Sequence, residues 1–485
     1  MNEITRKTGS AIKWSSVTEL LAKIISPIIN MILARVLAPE AFGILATITM
    51  VLSFAEIFVE SGFQKFLIQY KFDSKEQEYD YMTVAFWSNL VFSLFIWSLI
   101  IIFCNPIAEL AGNAGLGFPL ALSGVAIPLY GIIGIQNCQI KKRLDFKSLF
   151  FVRIIAAFVP LVVTVPLAIL GFDYWALIIG NTAGLVVRSV LLVFFGRFKP
   201  KLYFKWSLLV HMLKVGLWTL TDGVAVWATS WIDSLLIARY MSEYELGLYK
   251  HSSATITSLF AIVTSALTPV LFASLSKLQD DKNEFNKTFL GIQKTLCTFL
   301  LPMSAGVFLY RNFATDILFG GKWTEAANIV GIMAVSTALR TIFVSFYSEA
   351  YRAKGKFHVP LILQLIDLAI LVPACLMSIR HGFWSLVYTR AFIKLDLVIP
   401  EIIFVWAICG ITIKDTAKNV GVAFMSTLVM IAVSMWLQTF GASVIWNVTS
   451  IVICIIVYFL VLFMFKNERN TFLLPVLSKL KRLKK

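Results

Sequence analysis

The chain has 485 residues, of which 59% are hydrophobic and only 14% charged, and it carries a formal net charge of +16. This composition excludes an ordinary water-soluble globular protein, in which about 25% of residues would be charged. In a soluble chain the positive charge would suggest nucleic acid. In so apolar a chain we interpret it as attraction to anionic lipid headgroups, and we expect no nucleic-acid partner.

Fourteen apolar stretches follow one another, and each is long enough to cross a bilayer as a helix, which requires about 20 residues. We place these spans at residues 11–36, 39–62, 80–104, 116–139, 148–170, 173–196, 208–239, 243–275, 285–309, 324–349, 357–379, 384–408, 417–437 and 443–465. Lipid tolerates only helices or closed barrels, and these stretches are too long for barrel strands. The predicted fold class is therefore an all-α polytopic membrane protein with 14 transmembrane helices.

The loops between the spans differ sharply in their content of Lys and Arg. Twenty-nine of these residues lie in the N-terminal segment, in the loops that follow every second span, and in the C-terminal tail. Only five lie in the opposite loops, namely Arg35, Arg239, Arg311, Lys322 and Arg380. By the positive-inside rule the first side is cytoplasmic, and both termini lie inside. The other nine basic residues fall within the spans.

The tail at residues 467–485 is strongly basic and carries leucines at every third position, at Leu474, Leu477 and Leu480. This pattern predicts an amphipathic segment on the inner leaflet, with a disordered basic tail as the alternative.

An internal repeat relates residues 32–45 to residues 236–249. Ala34-Arg35 matches Ala238-Arg239, and Gly43 matches Gly247, at a constant offset of 204 residues. Six spans separate the copies, so both have the same orientation in the membrane, as in parallel repeats related by an axis along the membrane normal. We therefore predict two six-helix lobes, 1–200 and 201–410, followed by two further helices in 411–466 and the tail. Coincidence is the alternative, because the match is short.

Polar side chains form a stripe along one helix face in each of the first two predicted spans of each lobe. They are Ser16, Glu19, Lys23, Ser26 and Asn30; Thr49, Ser53, Glu56 and Glu60; Thr219, Asp222, Thr229 and Asp233; and Lys250, Ser253, Thr257, Thr264 and Thr268. A charge at the bilayer centre costs about 2.5–3.5 kcal/mol on insertion scales, so it should face water or a partner. The stripes predict a hydrophilic cavity lined from both lobes.

Prolines occur within five spans, at Pro27, Pro128, Pro269, Pro302 and Pro400. Each removes a helix hydrogen bond. Hinges are one interpretation, and static kinks are the other.

The runs Arg35–Gly43 and Ser61–Gln69 resemble the first-hairpin signature of the polysaccharide-transport family. Three further runs are similar to the signature of its second lobe, namely Asp233–Arg239, Leu246–Tyr249 and Thr268–Asp281. The family comprises lipid-linked oligosaccharide flippases of the multidrug/oligosaccharidyl-lipid/polysaccharide exporter superfamily. The chain departs from the family pattern at Phe58–Gly62, where family members often have a more acidic or glycine-rich helix end.

The resemblance implies a multi-pass protein of the bacterial inner membrane. It would move an undecaprenyl-diphosphate-linked repeat unit for O-antigen, capsule or exopolysaccharide from the cytoplasmic to the outer leaflet by alternating access. The implied partners are the lipid-linked oligosaccharide, anionic lipids, a polysaccharide polymerase and chain-length proteins, with the transporter itself expected to be a monomer. Peptidoglycan-precursor flipping is a variant of the same function.

The charges within the spans are the candidate functional residues. Basic side chains suit a diphosphate or acidic sugars, and Arg offers a bidentate fork. The substrate-binding candidates are Lys23, Arg153, Lys250, Arg340, Arg390 and Lys394, and the ion-coupling candidates are Glu56, Asp222, Asp367 and Asp396. The alternative is structural pairing, of Glu19 with Lys23 in one helix, or of the three aspartates with Lys214, Arg340 and Lys394. Arg153 and Arg188 lie nearer the helix ends and could instead snorkel to the interface.

Motifs of catalysis are missing from the sequence. It has no GxxxxGK[ST] phosphate loop and no HExxH, its four histidines are scattered, and none of its six cysteines stands in a CxxC. We expect neither enzymatic activity nor a cofactor or metal. Two alternatives to a flippase stay open, a cation-coupled multidrug exporter and a membrane enzyme of polysaccharide assembly.

Overall fold

The computed structural model describes residues 3–59, 63–356 and 358–470; within them, the side chains at 3–13, 15, 16, 20, 26, 65, 214–219, 222 and 269 are not described. The described ranges are helical and contain no strand. The helices of the first part are α1 (Glu3–Val36), α2 (Pro39–Val59), α3 (Phe63–Gln69), α4 (Lys75–Ile102), α5 (Cys104–Leu110), α6 (Gly117–Ser123), α7 (Ala126–Lys142), α8 (Phe146–Ile169), α9 (Tyr174–Gly196) and α10 (Trp206–Tyr240).

The helices of the second part are α11 (Glu243–Lys277), α12 (Lys282–Leu309), α13 (Arg311–Phe319), α14 (Ala326–Arg340), α15 (Phe346–Ala353), α16 (His358–Ser378), α17 (Phe383–Ile393), α18 (Val398–Cys409), α19 (Ile413–Gln438), α20 (Val444–Met464) and α21 (Lys466–Glu468). The predicted basic tail lies almost wholly outside the described residues.

Twelve helical segments within the described ranges are long and apolar enough to cross a membrane. The protein is therefore a multi-pass helical membrane protein, as the sequence predicts. The other two of the fourteen predicted spans correspond to α10, a continuous 35-residue helix, and to the pair α17 and α18. The count of 14 stays a prediction.

The predicted span 384–408 is not one helix. It breaks between Ile393 and Val398, and α18 begins there with Pro400 in its first turn. Proline lacks an N–H and its ring clashes with the carbonyl four residues earlier, here that of Asp396, so the helix cannot run through this point. The break places Lys394 and Asp396 in a turn.

The predicted span 324–349 is interrupted as well. A π-helical turn at Thr341–Ser345 joins α14 to α15, and the N–H of Phe346 bonds the carbonyl of Thr341. Such turns occur mostly as single insertions in α-helices, frequently at functional sites.

The chain divides into two compact units. Unit 1 comprises Met1–His251 and Asp367–Thr389, and unit 2 comprises Ser252–Ile366 and Arg390–Lys485. The predicted lobes, with boundaries at residues 200 and 410, stay a prediction.

In unit 1, close packing of α8 and α9 is set by two glycines. A Cβ atom at Gly180 would overlap the hydroxyl of Thr164, and one at Gly184 would press on the ring of Pro160. Small residues four apart let two membrane helices approach closely, which fixes their relative rotation. This rotation decides which side chains of α8 and α9 face the interior of unit 1.

The two copies of the sequence repeat meet each other within unit 1. A Cβ atom at Gly43 would overlap the carbonyl oxygen of Glu243, and one at Gly247 would overlap that of Pro39. Gly43 and Gly247 are equivalent under the 204-residue offset, and so are Pro39 and Glu243. The contact is thus reciprocal, as an interface around a two-fold axis requires.

In unit 2, the last two long helices pack onto α12 through an apolar core that includes Ala305, Met430 and Tyr458. The hydroxyl of Tyr458 donates to the carbonyl of Thr298 at 2.8 Å. Lys294 of α12 and Glu468 of α21 form an ion pair at 2.5 Å. These contacts attach α19 and α20 to unit 2.

Candidate functional site

A cavity of about 620 Å³ lies within unit 1 and is lined by side chains from α1, α2, α7, α8 and α9, with Ser123 of α6. Its polar lining includes Thr49, Ser53 and Glu56 of α2, which lie on one face of that helix at spacings of four and three residues. The spacing of these residues predicts that they face a cavity, and the structure places all three on the cavity wall.

Arginine side chains from two neighbouring helices reach the same cavity. Arg153 of α8 and Arg188 of α9 both line it, together with Asn181 of α9 and Tyr130 of α7. The close α8–α9 packing brings the two guanidinium groups to one space. The cavity wall therefore combines two positive charges, one carboxylate, an amide and several hydroxyls, a set able to bind an anionic and hydroxylated ligand.

An ion pair joins α1 to the wall of this cavity. Arg153 donates to the carboxylate of Glu19, and both side chains are roughly half exposed, at 40% and 47%. Glu19 thus pairs across helices with Arg153, whereas the sequence alternative paired it with Lys23 in the same helix. Lys23 directly follows Ala22, which lines the cavity, and forms no hydrogen bond or ion pair among the described residues.

Arg188 is a site residue that is not among the substrate-binding candidates predicted from the sequence, where its position near a helix end allows snorkelling to the interface. The structure places it on the cavity wall instead. A signal was present, because Asn181, Leu185 and Arg188 recur at spacings of four and three along α9. The apolar residues between them hide this stripe in a hydropathy plot.

The side chain of Lys250 contacts α10 and is not among the residues that line the unit 1 cavity. Its ammonium lies 3.5 Å from the ring centroid of Trp231, and it donates to the carbonyl of Ser230 at 2.9 Å. Nearby, the hydroxyl of Tyr249 donates to the buried carboxylate of Asp233 at 2.6 Å. The polar stripes of predicted spans 7 and 8 therefore serve in part to join α10 to α11.

Two of the predicted ion-coupling carboxylates lie elsewhere in unit 1. Asp367 of α16 is buried. Asp222 lies in α10, and its side chain is outside the described residues.

In unit 2, three predicted residues come together at the two interrupted spans. The Arg340 guanidinium lies 4.0 Å from the Asp396 carboxylate and donates to the carbonyl of Lys394 at 3.5 Å. The ammonium of Lys394 donates to the hydroxyl of Thr337 at 2.8 Å. Arg340 thus pairs with Asp396, a pairing that the sequence alternatives did not include.

The remaining predicted residue of unit 2 is Arg390, which lies half-buried in the last turn of α17. Glu401, a further deep charge of α18, is fully buried and accepts from the hydroxyl of Ser348 at 3.2 Å. These contacts hold α18 against α15.

Relatives of known role match most of the chain. The succinoglycan biosynthesis transport protein ExoT of Rhizobium meliloti (strain 1021) is 24% identical over 338 residues, 70% of this chain and 67% of that protein. The lipopolysaccharide biosynthesis protein WzxC of Escherichia coli (strain K12) is 23% identical over 349 residues, 70% of this chain and 68% of that protein.

Among solved structures, the lipid II flippase MurJ in an inward closed conformation has the same fold. The TM-score is 0.78 at 17% identity, and the match covers 94% of this chain and 99% of that one. A family model described as "Polysaccharide biosynthesis protein" matches residues 32–328, more than half of the chain. The resemblance seen in the sequence motifs is confirmed at this level: the chain belongs to the polysaccharide biosynthesis protein family.

Proposed function

We propose that this protein is a flippase that moves an undecaprenyl-diphosphate-linked oligosaccharide from the cytoplasmic to the outer leaflet of the bacterial inner membrane by alternating access. It would serve O-antigen, capsule or exopolysaccharide synthesis, with both termini in the cytoplasm. The proposal makes it a transporter and not an enzyme.

The observation that carries the proposal is the polar cavity of unit 1, which is built from membrane-spanning helices and holds both Arg153 and Arg188. A charged side chain within a membrane span is costly and mostly serves a function, so two arginines at one cavity indicate a functional site. Guanidinium groups bind phosphate oxygens through two parallel hydrogen bonds, and a diphosphate offers oxygens to both arginines.

The Glu19–Arg153 pair supplies a mechanism for coupling substrate binding to helix movement. In the structure the carboxylate of Glu19 forms an ion pair with the guanidinium of Arg153, and this pair joins α1 to α8. A diphosphate that binds Arg153 competes with Glu19 and breaks this link between α1 and α8. Because the ligand then favours the state without the link, it shifts the equilibrium between the two conformations of the transporter.

Glu56 lies on the same cavity wall and is our candidate for cation or proton coupling there. A proton or cation on this carboxylate removes a negative charge next to the anionic ligand. Asp222, Asp367 and Asp396 are further coupling candidates, and Lys23, Lys250, Arg340, Arg390 and Lys394 are further candidates for substrate contact.

The proteins named as relatives support this choice over the multidrug exporter. One is a transport protein of succinoglycan biosynthesis, and another belongs to lipopolysaccharide biosynthesis. A cavity with two arginines also suits an anionic substrate better than the organic cations that many drug exporters carry.

The proposal is tested by complementing a strain whose own gene is deleted. We expect Arg153→Ala and Arg188→Ala to abolish surface polysaccharide while the protein still inserts at the normal level. The matched control is Arg380→Ala, an exposed arginine of unit 1 in the turn before α17. Lys205→Ala, a second exposed charge, should also be silent. Equal loss in the controls, or full polysaccharide in both cavity variants, would contradict the proposal.

A further inference from the structure

A second and smaller cavity, of about 210 Å³, lies within unit 2 between α11, α12 and the interrupted helix formed by α14 and α15. Six hydroxyl side chains line it, namely Thr257, Thr264, Thr268, Thr337, Thr341 and Ser345. The first three belong to the polar stripe of α11, and the others come from the end of α14 and the π-helical turn. The turn thus brings hydroxyls from two helices to one space.

At least two of these hydroxyls keep their acceptor lone pairs for a ligand. Thr341 donates its proton to the carbonyl of Thr337 at 2.7 Å, and Thr257 donates to that of Ser253 at 2.8 Å. A threonine that donates to the helix backbone keeps its lone pairs for a ligand. The Thr337 hydroxyl accepts from Lys394, so its own proton remains to be donated. The wall therefore offers both acceptors and a donor.

Charge at the cavity wall is balanced. Glu349 lines it with its carboxylate paired to the guanidinium of Arg352 at 3.0 Å, and the ammonium of Lys394 donates a hydrogen bond to the lining hydroxyl of Thr337. The ammonium disfavours a metal cation, and because the negative charge of Glu349 is offset by Arg352, the wall carries no excess charge of either sign to select an ion. Apolar side chains, among them the rings of Phe260 and Phe346, form the rest of the lining. A neutral ligand with many hydroxyls and an apolar face satisfies all of these groups.

The size of the cavity limits the ligand to one ring. Pockets for drug-sized molecules start at about 300 Å³, and this cavity is smaller. We propose that the hydroxyl-lined cavity of unit 2 binds a single pyranose ring of the transported oligosaccharide, with Thr337 and Thr341 as its principal hydrogen-bonding residues. This inference rests on the proposed function, because it assigns the cavity to the sugar part of the same substrate.

The binding test uses the purified full-length protein in detergent and three monosaccharide probes, D-glucose, D-galactose and N-acetyl-D-glucosamine. Saturation-transfer NMR should show magnetisation reaching the ring protons of at least one probe. The Thr337→Val/Thr341→Val double variant keeps the side-chain shape and should weaken that binding about tenfold, since two hydrogen bonds are lost. No transfer to any probe would overturn the assignment.

The matched control is Thr295→Val in α12. Its hydroxyl also donates to the carbonyl four residues earlier, that of Gly291, but it does not line the cavity. It should bind the sugar as the wild type does, and equal weakening in this control would contradict the site. A melting temperature that rises when NaCl replaces choline chloride, and no longer does so in the double variant, would reassign the cavity to a cation and overturn the proposal.

A transport assay separates this inference from the proposed function. Vesicles with the purified protein receive undecaprenyl diphosphate carrying its oligosaccharide. If the double variant moves this lipid at the wild-type rate while Arg153→Ala does not, the sugar site is wrong and the flippase stands. If the wild type moves no lipid but still binds a monosaccharide, the flippase is wrong and the sugar site stands without it.

Discussion

Arg153 has two proposed roles. It pairs with Glu19 to join α1 to α8, and it lines the cavity of unit 1, where it would bind the substrate. The pair is half exposed, so its own contribution to stability is about 1 kcal/mol or less. Its proposed importance lies in the competition between a carboxylate of the protein and a phosphate of the ligand for one guanidinium. Lys250, in contrast, is held against Trp231 and Ser230.

Reversing the charges of the Glu19–Arg153 pair separates these two roles. Glu19→Arg alone puts two cations together and should lower the melting temperature by a few degrees at most. Adding Arg153→Glu should restore the melting temperature, because the ion pair re-forms with opposite polarity. Transport should remain abolished, because α8 no longer carries a positive charge at position 153. Recovery of transport in the double variant would show that only the link between α1 and α8 matters.

At the scale of elements, the first turns of α2 and α11 depend on the absence of side chains at Gly43 and Gly247. Each glycine lies against a backbone carbonyl of the other copy of the repeat, and backbone cannot turn aside as a flexible side chain can. Overpacking of a close contact costs about 1–3 kcal/mol.

We therefore expect Gly43→Ala and Gly247→Ala to lower the melting temperature by similar amounts, since their contacts are reciprocal. The matched control is Gly291→Ala in α12, where an added Cβ atom meets nothing within 4 Å. The measurement is thermal unfolding of the purified protein. A loss at only one of the two repeat glycines, or an equal loss at Gly291, would contradict the two-fold arrangement.

The helices show what could and could not be predicted from the sequence. Thr49, Ser53 and Glu56 were predictable cavity residues, because helical periodicity alone puts them on one face. Arg188 was missed although Asn181 shares its helix face, because the direction of a charge on an apolar helix depends on the rotation of that helix, and the packing of Gly180 and Gly184 against α8 sets this rotation. Pro400 indicates a hinge or a kink from the sequence alone, but the full break before it was not predicted, because the apolar stretches on both sides let the hydropathy average across Lys394 and Asp396.

The orientation of the whole molecule in the membrane is predicted from the Lys and Arg content of its loops, and it remains a prediction. Alkaline phosphatase fused after Asn113 or Gly320 should be active, because these sites lie in loops with few basic residues. Fusions after Lys142, Lys199 and Lys282 should be inactive, because these loops are rich in Lys and Arg and should stay in the cytoplasm. The assay is phosphatase activity in a bacterial host. Activity after Lys199 would overturn the orientation and the proposed direction of transport.

The central claim is that the two arginines of the unit 1 cavity bind the diphosphate of a lipid-linked oligosaccharide during its movement across the membrane. The most direct measurement uses vesicles with purified protein and undecaprenyl-diphosphate-linked oligosaccharide labelled on its sugar, followed by a quencher that cannot cross the bilayer. The wild type should expose the whole lipid pool to the quencher. Losing a charge-assisted hydrogen bond should slow Arg153→Ala and Arg188→Ala about tenfold or more, with Arg380→Ala unchanged. A wild type no faster than protein-free vesicles, or cavity variants as fast as the wild type, would contradict the claim.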